Sequence, residues 1–137
     1  MIGDERDLIG LRSNYRRDTV IMYPLKIQPD NLPKFFNSVM ERAQRLSVQP
    51  EWYNTITNTC TTAIQNHANL LLPDDKKIPW SKQILLPKYS DEIAYNLGLI
   101  DTTLSLEEAR KYYTINDRAL GADKEKDFSR KIRPEVR

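Results

Sequence analysis

What this chain has little of narrows it most. It holds one cysteine, Cys60, and one histidine, His67, among 137 residues. A single thiol excludes an internal disulfide framework and a multi-thiolate metal site. One histidine seven positions from that cysteine does not make a coordination sphere either. No metal and no cofactor are therefore expected. Long apolar runs are also missing: the stretches that exist, such as residues 69–72 and 84–86, are core-sized, against roughly 20 residues for a bilayer span. The N-terminal stretch carries Asp4, Glu5 and Asp7 and no apolar segment of the kind a secretory signal needs. Nor is there an excess of one charge, since 21 basic residues stand against 19 acidic ones for a net charge of +2. Basic residues do gather at the C-terminus, in Lys124, Lys126, Arg130, Lys131, Arg133 and Arg137. They are interleaved with Asp123, Glu125, Asp127 and Glu135, so no nucleic-acid partner is expected.

What is present suits one domain, or part of one: 39% hydrophobic and 29% charged residues can build a packed core. Residues 12–18 are polar and read as a loop. Residues 19–27 are rich in β-branched and aromatic side chains and read as a strand, with Pro24 confining it to an edge or a bulge. A helix follows, capped by Asp30 or Asn31, with Pro33 tolerated in its first turn. Its Leu32, Phe35, Phe36, Val39, Met40, Ala43 and Leu46 fall at the spacing of a core-facing stripe, while Lys34, Asn37, Glu41, Arg42 and Arg45 form the outer face. It ends near Ser47, before Pro50.

Residues 63–72 read as a further helix, stopped by the Pro73–Asp74–Asp75 turn. Residues 78–87 read as a connection with buried anchors. Ser90 or Asp91 caps a short helix reaching Leu97, with Gly98 in the C′ position. Ser105 and Glu108 form a capping box that opens a last helix through about Leu120, closed by Gly121.

The candidate chemistry lies between the second and third of these segments. Thr57, Asn58 and Thr59 are each good N-cap residues, so a helix is expected to begin at or just before Cys60. Unpaired amides and the positive end of the helix dipole stabilise negative charge on a sulfur there, and can receive the oxyanion that forms in acyl transfer. Tyr15, Tyr53 and Asn58 are candidates for hydrogen bonds near the thiol. Against this, a lone cysteine is commonly a small packed hydrophobe. His67 is the obvious base by residue type. On one helix, however, seven residues separate it from Cys60 by roughly 10 Å along the axis, beyond direct proton transfer. A structural role for His67 is the stronger expectation.

Several segments together resemble the Lnb-type periplasmic domain family, named for a bacterial lipoprotein N-acyltransferase. They are Arg12-Ser13-Asn14-Tyr15-Arg16, Met22-Tyr23-Pro24-Leu25, Pro50-Glu51-Trp52-Tyr53-Asn54-Thr55, Asn58-Thr59-Cys60-Thr61-Thr62 and Leu85-Leu86-Pro87. Asp91-Glu92-Ile93-Ala94-Tyr95, Gly98-Leu99-Ile100-Asp101 and residues 127–133 extend the likeness to the tail. The pieces around Trp52 and Cys60 are the most specific.

The resemblance implies an α+β, papain-like fold of permuted NlpC-related order, mainly helical with at least one strand. It implies a place in the bacterial envelope and Cys60 as the catalytic nucleophile. The family's histidine base lies upstream of the cysteine, and no histidine precedes Cys60 here. Residues 1–137 are accordingly expected to be the C-terminal portion of such a domain, with its upstream half as a partner, and to be inactive alone.

The expected chemistry is cysteine-dependent acyl transfer or hydrolysis on an acylated substrate, a lipoprotein or a lipid. The competing expectation is a non-catalytic envelope module that binds a partner, with Cys60 structural.

Overall fold

The computed structural model describes residues 3–81 and 89–137, which gather into two compact units. One is Met1–Leu25 with Ile100–Arg137; the other is Lys26–Leu99.

The first unit begins with α1, Glu5–Gly10, capped by Asp4, whose carboxylate accepts from the Arg6 amide at 2.9 Å. The chain continues without a break into a π-helical turn, Leu11–Tyr15. Residues 12–15 are therefore helical rather than loop. Arg17 then turns the chain in the left-handed region, at φ 58°.

The expected strand at 19–27 does not form, and the α+β papain-like arrangement is overturned with it: the described residues are helical and contain no strand or sheet. The segment does run extended, but its backbone partners are turns between helices. Met22 N donates to Tyr113 O at 2.9 Å, Ile115 N to Val20 O at 3.0 Å, and Asp101 N to Pro24 O at 2.9 Å. These give isolated bridges, Ile21 to Thr114 and Leu25 to Ile100. A ladder needs a second extended run alongside, and Pro24 has no N–H to contribute to one. Residues with strand propensity thus line a helical core.

That core is built mostly from the C-terminal part. α5, Leu106–Tyr112, carries the expected Ser105–Glu108 capping box, with Ser105 N donating to Glu108 Oε2 at 3.0 Å. The single helix expected to reach Leu120 is instead broken. α5 stops at Tyr112, and α6 occupies Asn116–Gly121. The break is useful: Tyr113 and Ile115 turn fully inward, and Asn116 pins the extended segment, accepting from Val20 N at 2.9 Å and donating to Asp18 O at 2.8 Å. α7, Phe128–Lys131, adds Phe128 and Ile132 to a cluster with Ile115, Ala119 and Ala122, against which Ile9, Val20 and Met22 pack.

The second unit is assembled differently. α2, Asn31–Val48, is the longest helix described, and none of its residues is buried. The stripe expected to face a core is only half covered. Phe35, Val39, Ala43 and Leu46 are half-buried, whereas Leu32, Phe36 and Met40 are exposed, Phe36 at 62%. α3, Cys60–Asn69, packs on α2 and is followed by a 3-10 turn, Asp74–Lys76.

α4, Ser90–Asn96, ends in a Schellman motif: Gly98 N donates to Tyr95 O and Leu99 N to Ala94 O, both at 2.9 Å. The reversal requires φ +66° at Gly98, which a side chain would strain. Most of the anchors expected in residues 78–87, including the Leu85-Leu86-Pro87 segment, lie outside the described residues. No described helix is long and apolar enough to cross a membrane.

Candidate functional site

The segment before Cys60 is a closed loop. Asn54 and Asn58 pair across it, with Asn58 N donating to Asn54 O at 3.0 Å and Asn54 N to Asn58 O at 3.3 Å. Inside, the Asn54 side chain folds back to accept from the amides of Ile56 at 2.9 Å and Thr57 at 3.0 Å. Asparagine suits such a turn because its amide oxygen imitates a backbone acceptor.

The loop delivers the chain to Thr59, extended at φ −100° and ψ 171°, which is the N-cap of α3. Thr59 Oγ1 accepts from Thr62 N at 3.1 Å, and Thr62 Oγ1 accepts from Thr59 N at 2.8 Å. This is a capping box with threonine in the usual place of glutamate. Both threonines are buried.

Cys60 is the first residue of α3, and its side chain is exposed. The cap uses the amide of Thr62, and Ala63 N donates to Thr59 O at 3.1 Å. The amides of Cys60 and Thr61 have no acceptor among the described residues, as the first turn of a helix leaves them. The sulfur lies 3.8 Å from Thr61 Oγ1, within hydrogen-bond reach for a thiol. The cysteine is thus presented to solvent rather than packed.

The supporting residues fare unevenly. Asn58 lies two residues before the thiol and is fully engaged. Its Nδ2 donates to Trp52 O at 2.9 Å and to Glu51 Oε2 at 3.3 Å, and its Oδ1 accepts from Arg42 Nη2 at 3.0 Å. Tyr53 is on the same loop, exposed and without a hydrogen bond among the described residues. Tyr15 closes the π-helical turn of the first unit and is also exposed.

His67 is occupied elsewhere. Its Nδ1 stands 3.0 Å from Ser38 Oγ on α2, and its ring meets Phe35 edge-on at 6.3 Å. Ser38 Oγ already lies 2.8 Å from the Phe35 carbonyl as a donor, so Nδ1–H is the donor to Ser38 and the pair is a helix-to-helix pin. Burial, with Arg42 and Arg45 nearby, holds the imidazole pKa below its usual value. No hydrogen bond joins His67 to Cys60. Among the described residues no cluster of His, Cys, Asp and Glu could hold a metal ion.

Other contacts fix the far side of α3. Asn69 grips the backbone of Ile78, accepting from its N–H at 2.7 Å and donating to its carbonyl at 2.9 Å, and Gln65 Nε2 donates to the same carbonyl at 2.9 Å. Trp80 Nε1 donates to Ile56 O at 3.4 Å, tying the segment after Ile78 to the loop before Cys60. Trp52, Tyr53, Ile56, Ile64 and Trp80 remain exposed around this region of the unit, Trp52 at 94%.

Arg42, Glu51 and Thr62 were not singled out by sequence. Arg42 falls on the polar face of α2 by periodicity, and the Thr-x-x-Thr box lacks the acid that marks the usual form. The glutamate in the Glu51-Trp52-Tyr53-Asn54 run was the one available signal.

The family model described as the Lnb N-terminal periplasmic domain matches residues 1–88, which include the loop, Cys60 and α3. No curated protein and no solved structure matches the chain.

Proposed function

Because the chain belongs to the family of the Lnb N-terminal periplasmic domain, we propose that it serves in the bacterial envelope, in the periplasm, with Cys60 as the nucleophile of an acyl transfer or hydrolysis. The observation that carries this reading is the exposed thiol at the first position of a capped helix, where the amides of Cys60 and Thr61 have no acceptor among the described residues.

In the reaction, the thiol proton passes to a base as Sγ bonds to the carbonyl carbon of an acyl ester or amide. The amides of Cys60 and Thr61 face the oxygen that becomes negative. Collapse of this intermediate breaks the bond to the leaving alcohol or amine, which takes the proton, and leaves a thioester on Cys60. An amine then accepts the acyl group in a transferase, or water in a hydrolase. His67 is committed to Ser38, so the base is another group. The acylated substrate is a lipid or a lipoprotein.

The test uses the full chain, with a long-chain p-nitrophenyl ester and with diacyl phospholipid vesicles as donors, followed by intact mass measurement. The p-nitrophenolate leaving group departs without protonation. A hydroxylamine-sensitive acyl adduct from the activated ester, absent in Cys60→Ala, is therefore expected even where turnover of a natural substrate needs a base from the upstream half. No adduct on the wild-type chain, or one that persists in Cys60→Ala, removes the nucleophile.

A second reading, an envelope module that binds a partner without catalysis, is favoured by the exposed aromatic and aliphatic side chains of the same unit. Binding of the same vesicles with equal affinity by wild type and Cys60→Ala, and no adduct in either, is its signature.

A further inference from the structure

We propose that Arg42 is a positioning residue for Cys60, acting through Glu51 and Asn58 on the turn that leads into α3; the proposal rests on the reading of Cys60 as the nucleophile.

Arg42 belongs by sequence to the polar face of α2, yet its side chain retains only 20% exposure. One guanidinium nitrogen, Nη2, donates to Glu51 Oε2 at 2.9 Å and to Asn58 Oδ1 at 3.0 Å. Asn58 Nδ2 closes the triangle on Glu51 Oε2 at 3.3 Å. The three corners sit on a long helix, at the start of the loop, and on the residue before the cap. Within the loop the Asn54–Asn58 pairing and the Asn54 turn hold its shape. Those bonds fix the loop internally and do not fix it to anything else. The guanidinium attaches this small body to α2 by a charge-assisted contact.

Asn58 is tied through its N–H, its carbonyl and both polar atoms of its side chain. The path from Asn58 into Thr59 therefore sets where the amides of Cys60 and Thr61 point. Oxyanion donors act only over a narrow range of distance, and a displacement of about 1 Å is costly. Arg42 supplies the anchor against that displacement. It does not touch the thiol.

The discriminating measurement is the rate of Cys60 alkylation by iodoacetamide in the full chain from pH 6 to 9, for wild type, Arg42→Met, Arg42→Lys, Glu51→Gln and the Arg42→Met/Glu51→Gln double variant. Methionine keeps apolar contact along the side-chain stem and removes the charged donor. Arg42→Met is expected to slow alkylation by about fivefold with helical signal unchanged. Arg42→Lys is expected to recover to within about twofold, since a single nitrogen makes both bonds. The double variant should be no slower than Arg42→Met. A purely structural tie predicts no slowing, because the thiol is already exposed; a faster or unchanged rate in Arg42→Met overturns the proposal. Should Arg42→Met lose helical signal, Glu51→Gln carries the comparison, with the same slowing expected and the same reversal decisive. Failure of the wild type to form an acyl adduct removes the nucleophile reading. Arg42's hold on the thiol is then still decided by the alkylation rates.

Discussion

The two units keep their shape by different means. In the unit of Met1–Leu25 and Ile100–Arg137, apolar side chains are shut away from water: Ala109, Tyr113, Ile115, Ala119 and Ile132 are wholly buried. In Lys26–Leu99 the buried residues among those described are Thr59, Thr62 and Gln65, every one polar and hydrogen-bonded. Large apolar groups there, Leu32, Phe36, Trp52 and Ile64 among them, remain exposed. Apolar burial is non-directional and scales with area, so it makes a robust but chemically silent body. Hydrogen-bonded caps and clamps contribute less each, but they fix direction. The unit that exposes the thiol is the one organised by directional bonds.

The largest expected effect lies in the first unit. Ile115→Ala should cost about 2–5 kcal/mol, because the cavity forms where nothing can collapse into it. Phe36→Ala, removing a larger but exposed group, should cost less than about 0.5 kcal/mol. Denaturant midpoints of the two variants measure the contrast, and equal losses would erase it.

Next is the clamp on Ile78. Asn69→Ala removes two hydrogen bonds and strands a backbone N–H and part of a carbonyl's bonding, for an expected loss of about 1–3 kcal/mol. Hydrogen exchange should locate the loss at the Ile78 amide, while that of Ile115 stays protected. Equal deprotection of both would mean that the units do not respond separately.

The cap comes third. Thr59→Ala should cost about 1 kcal/mol, and Thr59→Asn should restore most of it. Fraying read from the amide exchange of Thr62 and Ala63 checks this. If Ala and Asn behave alike, the capping box is not what starts α3.

The smallest effects concern pH, where the units should weaken in different windows. In the second unit His67 is held below 6.5, first by burial and then by Arg42 and Arg45. The unfolded chain therefore binds its proton first. The contribution is intact above pH 6.5 and falls as pH drops through that value towards the lowered folded one. In the first unit Glu5 is partly desolvated, which raises its pKa, but bonds from Arg133 at 2.8 Å and from Ser129 outweigh this and leave it below 4.5. Its contribution is intact above pH 4.5 and fades only as pH falls further. The Glu5–Arg133 pair is partly exposed, so Glu5→Gln should cost no more than about 1 kcal/mol. Amide exchange followed from pH 7.5 to 4 should show the second unit loosening first, and His67→Gln should flatten its upper limb. Simultaneous loosening would contradict the assignment.

Local signals were legible in the sequence wherever a few neighbouring residues decide the outcome. The start of α3 at Cys60, the Ser105–Glu108 box, the glycine reversal at Gly98 and the separation of His67 from the thiol all follow from side chains within about one or two helical turns. The extent of α2 was also readable from its periodicity. Less was visible where two distant segments must meet. Residues 19–27 have the composition of a strand, but a strand exists only if another extended segment lies beside it. Here the neighbours are turns at Ile100 and Thr114. Likewise the apolar stripe of α2 announces a face without saying whether anything covers it.

The sequence by itself determined where α2, α3 and α5 begin and that the only thiol stands at the head of one of them, because caps and turns are chemistry between residues close in the chain. Tertiary structure alone decided that Arg42 leaves its solvent face for Glu51 and Asn58. It decided that His67 pairs with Ser38, that Tyr113 and Ile115 become a core, and that Cys60 opens to solvent while Thr62 beside it is buried. Each depends on which distant surfaces meet, and burial and charge pairing are properties of that meeting rather than of any one segment.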